Sequence, residues 1–166
     1  MTIISSLNPV RLVAALLVVG AVACGGGSGD SADAASNQAQ AGSGSDELTA
    51  FQLEHGIGPM TEVVEVGALD PAMAQTGEEI FAIKCASCHK IDERYVGPAL
   101  GEIAQQRSAT FIMNMILNPK EMYERHPETK ALLAEYLSFM PDQNVTPDEA
   151  RAIVEYLRSA GPGDAE

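Results

Sequence analysis

The chain has 166 residues, 46% of them hydrophobic and 5% aromatic, with three cysteines, no tryptophan and a net charge of −13. That length leaves room for one domain with additions. The acidic balance disfavours a nucleic-acid partner, because phosphate binding needs a basic surface.

The front of the chain does not read as domain. After Arg11 comes LVAALLVVGAVA, an apolar run shorter than the ~20 residues of a membrane-spanning helix but suited to the core of a secretory signal. Residues 1–23 are predicted to be a signal peptide, which places the protein outside the cytoplasm, on the periplasmic side of the cell envelope. Small residues precede Cys24. AVAC resembles the lipobox of bacterial lipoproteins, with Ala21 where such motifs usually carry leucine. The resemblance implies that Cys24 becomes a lipid-modified N-terminus holding the protein to a membrane; ordinary cleavage after Ala21-Val22-Ala23 would leave a free thiol instead. Residues 24–45, rich in Gly, Ser, Ala and Asp, cannot build a core and are predicted to be a flexible tether spanning about 25–30 Å. The acidity is concentrated early: Cys24 to Asp70 holds eight acids and no Lys or Arg, whereas Pro71 to Ala160 holds thirteen acids and nine bases.

Residues 46–70 are predicted to be an extension packed on the domain. DELTAFQLEHG predicts a short helix ended by Gly56, and TEVVEVG alternates like a strand without an evident partner. From Pro71 the pattern is helical. Asp70 and Pro71 start one helix, and LGEIAQQR holds one or two turns. SATFIMNMIL starts at Ser108 and stops at Asn118-Pro119. HPETKALLAEYLSF follows, with Leu133, Tyr136 and Leu137 as its apolar stripe. The last helix has Thr146 as cap, Pro147 at its first position and Glu149 closing a capping box. Its Ala150, Ile153, Val154 and Leu157 repeat at i, i+3, i+4, i+7. Residues 161–166 are predicted to be a flexible C-terminus.

CASCH, residues 85–89, carries the chemistry. On a helix Cys85, Cys88 and His89 share a face. Two thiols at that spacing can bond to the two vinyl groups of a haem, and the next residue can offer an imidazole to the iron. C-x-x-C-H is the attachment signature of c-type haem. A redox dithiol would belong near a βαβ pattern, which is missing, and a structural zinc site needs two further ligands, for which only the unpaired His55 and His126 remain.

TGEEIFAIKCASCHKIDERYVGPAL and MPDQNVTPDEARAIVEYL together resemble the class I monohaem cytochromes c, from Pro71 to Ala160. The resemblance implies an all-α fold of four to five short helices around one covalent haem c. Its first and last helices cross, with Gly77 and Phe81 packed against Tyr156. It also implies that Cys85 and Cys88 bind the haem, that His89 ligates the iron, and that the Pro98 carbonyl accepts a hydrogen bond from His89, fixing its orientation.

The other side of the iron has several candidates. Met113 and Met115 point about 200° apart on a helix, so at most one faces inward. Met60 and Met73 precede the haem motif, Met122 lies in a polar turn, His126 is an exposed loop residue among charges, and His55 sits in the extension. Met140 follows a helix, is fixed by Pro141 and lies just before a capped helix, which is how the family places its ligand. A core role for Met140 is the main rival. Arg94 and Tyr95, before the Pro98 loop, are candidates for contact with the haem propionates.

Ligation by His89 and Met140 leaves no open position on the iron, which points to an electron carrier, not an enzyme. Partners would dock at the bound edge, around Ala86, Ser87, Lys90 and Lys84. EHGIGPM, RYVGPAL and FIMNMILNPKEM are similar to small cytochromes found beside nitrous oxide reductases. That similarity implies a quinol-oxidising donor complex and a terminal reductase, or an oxidase, as acceptor. Two other readings stay open: a haem subunit of a larger respiratory complex, and a ligand-binding sensor or peroxidase-like module with a labile or absent sixth ligand.

Overall fold

The computed structural model describes residues 47–161. The expected signal peptide, Cys24, the tether and residues 162–166 lie outside the described residues. Seven helices form among the described residues, in chain order α1 (Ala50–His55), α2 (Pro71–Lys84), α3 (Ile103–Gln106), α4 (Ala109–Leu117), α5 (Pro119–Arg125), α6 (Pro127–Tyr136) and α7 (Pro147–Ala160). The architecture is all-α, as expected, with six helices from Pro71 onward where four or five were read from sequence.

Local chemistry explains the boundaries. The Asp70 carboxylate accepts the N–H groups of Ala72 and Met73 at 2.9 and 3.1 Å, satisfying donors that have no partner inside α2. Ser108 caps α4 through the Phe111 N–H. Thr146 and Glu149 close a reciprocal capping box on α7. The additional helix is α5, which starts at Pro119 where α4 must stop. Proline ends one helix and opens the next.

α2 and α7 cross at Gly77. A Cβ added there would lie 2.0 Å from the Ala152 carbonyl oxygen, so the two backbones meet with no room for any side chain. One turn along, the rings of Phe81 and Tyr156 sit 5.2 Å apart and tilted by 49°. The buried face of α7, Ala150, Ile153, Val154 and Leu157, joins Phe81, Ile112, Met113 and Ile116 in the main core. Each fully buried large apolar side chain contributes about 1.5–3 kcal/mol.

Three sequence readings are corrected here. Residues 61–67 form no strand: backbone polar groups must find partners, and Val64 donates to the Thr110 hydroxyl of α4 at 2.8 Å. Met122 and His126 are not in an exposed polar stretch but fully buried, because Ile57 of the coil after α1 meets Met122 and Leu53 of α1 meets His126. The His126 Nε2–H donates to the Leu53 carbonyl at 3.1 Å, and Nδ1 has no partner. Leu137 is 87% exposed, because it is the left-handed residue that ends α6 and so turns away from the apolar stripe predicted for it.

A buried carboxylate joins α7 to the start of α2. Glu155 is fully buried. It accepts the Asp70 N–H at 2.8 Å and pairs with Arg151 and with Arg158, the latter at 2.8 Å. Burial alone would push the Glu155 carboxyl up, but the Asp70 N–H and the two guanidiniums outweigh it and hold it below its ordinary value of 4.5. A depressed folded-state value means that Glu155 stabilises the fold above pH 4.5 and loses that contribution as pH falls through its folded-state value. Glu155→Gln should cost about 3 kcal/mol at neutral pH, at the lower end for breaking a buried ion pair. In denaturant titrations across pH, the gap from the parent protein should narrow as pH falls below 4.5 and through the depressed folded-state value. A gap independent of pH would show that the charge is not what stabilises.

Candidate haem site

α2 ends at Lys84, and Cys85 is its cap. Cys85, Cys88 and His89 therefore do not share a helix face, contrary to expectation; they lie on the turn that follows. Helix-like spacing survives because the N–H groups of Cys88 and His89 both donate to the Cys85 carbonyl, at 3.0 and 2.9 Å. Neither cysteine is in a disulfide. Burial pushes the Cys85 thiol up to about 11, against the lowering effect of Lys84.

The turn opens into an apolar cavity. Cys85, Cys88, His89, Pro98, Met115 and Met140 line it, with walls from Phe81, Ile112, Ile116, Ile153 and Leu157. Its empty space, counting the part open to solvent, comes to about 1170 Å³. A haem fits this arrangement in its chemistry. His89 Nδ1–H donates to the Pro98 carbonyl at 3.0 Å, which makes Nε2 the nitrogen with the free lone pair. Gly97 lies flat against the same ring: a Cβ there would come within 2.5 Å of His89 Cε1. One loop thus sets both the tautomer and the orientation of the imidazole.

Of the candidates for the opposite side, Met140 and Met115 line this cavity and the others do not. Met113 is buried in the main core. Met122 packs with Ile57 and Phe111, its Sδ accepting the Ile57 N–H at 3.0 Å. His55 is hydrogen-bonded to the Ser108 hydroxyl at 2.9 Å. Met115 is held on rigid α4, whereas Met140 lies in the irregular stretch between α6 and α7. The Met140 N–H donates to the Tyr123 hydroxyl at 2.9 Å. Burial raises Tyr123 above its ordinary value, against the lowering effect of that bond, so it stays a neutral phenol.

Arg94 and Tyr95, the candidates for the haem propionates, are not among the residues lining the cavity. The Arg94 guanidinium pairs with Glu135 at 2.9 Å and lies 4.0 Å over the Tyr136 ring. It clasps the loop before Pro98 to α6, one bank of the cavity to the other. Tyr95 is 58% exposed and covered on one side by the Lys90 ammonium, 5.1 Å from the ring centre. The lysines expected at a docking edge are also engaged: Lys84 donates to the Asn144 carbonyl at 2.9 Å and pairs with Glu149, and Lys90 donates to the Ala86 carbonyl at 2.9 Å. Tyr123 and Leu132 were missed in the sequence, and Tyr136 was read only as part of an apolar stripe; it is the fold that brings all three to the cavity.

Comparison with known proteins agrees with this geometry. Residues 74–161, over half the chain, match the family model for cytochrome c. Cytochrome c-551 of Stutzerimonas stutzeri is 31% identical over 108 residues, covering 61% of this chain and 92% of the relative. A solved cytochrome c from Rhodothermus marinus superposes with a TM-score of 0.62 at 43% identity, covering 66% of this chain and 94% of that one. An engineered Rhodothermus marinus cytochrome c bound to a carbene intermediate matches with a TM-score of 0.60 at 42% identity, covering 66% and 95%.

Proposed function

Because the chain belongs to the cytochrome c family and carries a covalent haem c, we propose that it is an exported electron carrier whose iron is ligated by His89 and Met140. The reading rests on one observation: a single apolar cavity is lined by the attachment cysteines, by an imidazole with its free nitrogen fixed by Pro98, and by a loop methionine. When bound, the haem supplies an iron that cycles between two oxidation states. The chain's own residues do the rest. Cys85 and Cys88 tether it, Pro98 and Gly97 orient His89, and the apolar walls exclude water. A Met140 thioether, together with the His89 imidazole, would favour the reduced iron and raise the potential.

Electrons would enter and leave through the mouth of the cavity, where Val96, Leu132 and Phe139 are exposed. In this reading a lipid at Cys24 holds the carrier at the membrane on the periplasmic side, a quinol-oxidising complex reduces it, and a terminal reductase oxidises it. Nitrous oxide reductase is favoured over an oxidase because EHGIGPM, RYVGPAL and FIMNMILNPKEM resemble its companion cytochromes. With both axial positions filled, the reduced protein should not bind carbon monoxide at neutral pH. An immediate shift of its reduced spectrum on adding the gas would instead support the ligand-binding reading.

A further inference from the structure

Residues 47–64 cover more than apolar surface: at His55, Ile57, Met60 and Val64 they are hydrogen-bonded to α4, to α5 and to the residues that cap them. His55 Nδ1 meets the Ser108 hydroxyl at 2.9 Å, the Ile57 N–H donates to Met122 Sδ at 3.0 Å, and the Val64 N–H donates to the Thr110 hydroxyl at 2.8 Å. Asn114, fully buried, spends its whole amide on this segment. It accepts the Met60 N–H at 2.9 Å and donates to the carbonyls of His55 and Met60, each at 3.0 Å. The Asn118 amide donates to the Ile57 carbonyl at 3.2 Å.

The other side of the same two helices is the cavity wall, from Ile112, Met115, Ile116 and Tyr123. Met122 and Tyr123 are adjacent on α5. One is held outward by Ile57; the other holds the Met140 N–H inward. Elsewhere in the ligand loop, Gln143 bonds Pro141 and Asn144 bonds Asp142 within the loop, and Lys84 of α2 holds the Asn144 carbonyl, four residues beyond Met140. Tyr123 is therefore the helix-borne group that grips the loop at Met140 itself.

We propose that residues 47–64 are a brace for the axial methionine, fixing α5 from outside so that Tyr123, a positioning residue, keeps the Met140 thioether on the iron. This rests on the reading of Met140 as the ligand. The brace biases a competition: whatever loosens the loop lets an added ligand displace the sulfur more readily.

The test is imidazole titration of the ferric holoprotein, with the weak far-red sulfur-to-iron band as a second readout. Tyr123→Phe keeps the ring and removes the acceptor. Loss of one hydrogen bond predicts imidazole binding about 3- to 10-fold tighter, with the sulfur band weakened. Gly58→Ala acts from the far side. Its Cβ would lie 2.4 Å from Asn114 Oδ1, prising the segment off Asn114, and imidazole affinity should rise in the same direction. Val64→Pro, which removes the N–H given to Thr110, serves the same purpose if Gly58→Ala does not fold. Unchanged affinity in Tyr123→Phe overturns the positioning role. A response in Tyr123→Phe but in neither segment variant overturns the brace. Met140→Ala separates these failures from a wrong ligand: if that variant keeps the sulfur band, it is the ligand reading that fails.

Discussion

Gly77→Ala should be the most damaging small substitution in the chain. The added methyl would sit 2.0 Å from the Ala152 carbonyl oxygen and 2.5 Å from its carbon, and both are backbone atoms inside α7. No side-chain rotation relieves that contact, so the helices must move apart. Separation loosens the Phe81–Tyr156 ring pair, worth about 0.5–1.5 kcal/mol beyond its area, and opens the buried face of α7. Overpacking typically costs 1–3 kcal/mol, and a backbone-to-backbone clash belongs at or above the top of that range. A loss of about 3 kcal/mol would lower Tm by roughly 10–25 °C for a domain of this size. Gly67→Ala is the matched control: nothing lies within 4 Å of its Cβ position, and its effect should stay within about 0.5 kcal/mol. Equal melting temperatures for the two variants would show that the α2–α7 crossing is not close-packed in solution.

Met140→Ala should change the chemistry while leaving the fold in place. Met140 is only partly buried and packs at the edge of the core, so its truncation leaves a small, solvent-accessible gap. With the thioether gone, water or an added ligand reaches the iron, and the preference for the reduced state falls. Axial ligation spans a range of about 0.8 V across haem proteins; a drop on the order of 0.1 V or more is expected, with carbon monoxide binding the reduced form. Met115→Leu is the necessary companion, since Met115 lines the same cavity and leucine conserves its volume. Potentiometry and carbon monoxide titration should separate the two variants clearly. If Met115→Leu opens the iron and Met140→Ala does not, the ligand is on α4.

What was legible in the sequence divides along physical lines. The capped ends of α2, α4 and α7 and the buried stripe of α7 are short-range features, written in residues within four positions of one another. The haem motif is local too. The structure altered only its setting, a turn closed by Cys85 in place of a helix face. What could not be read was set by contacts between distant segments. His126 and Met122 looked exposed because their neighbours in sequence are charged, and only the arrival of residues 48–57 buries them. TEVVEVG alternates as a strand would, yet Val64 meets Thr110 of a helix. Arg94 meets Glu135 and Tyr136, about forty residues on, partners that its own neighbours in the sequence do not announce.

The crossing of α2 with α7 also ties the two ends of the domain together behind the site. Cys85 is 9% exposed at the end of α2, and Ile153 and Leu157 of α7 line the same cavity as Cys85. A truncation that removes α7 should therefore strip a wall from the cofactor pocket as well as undo the crossing.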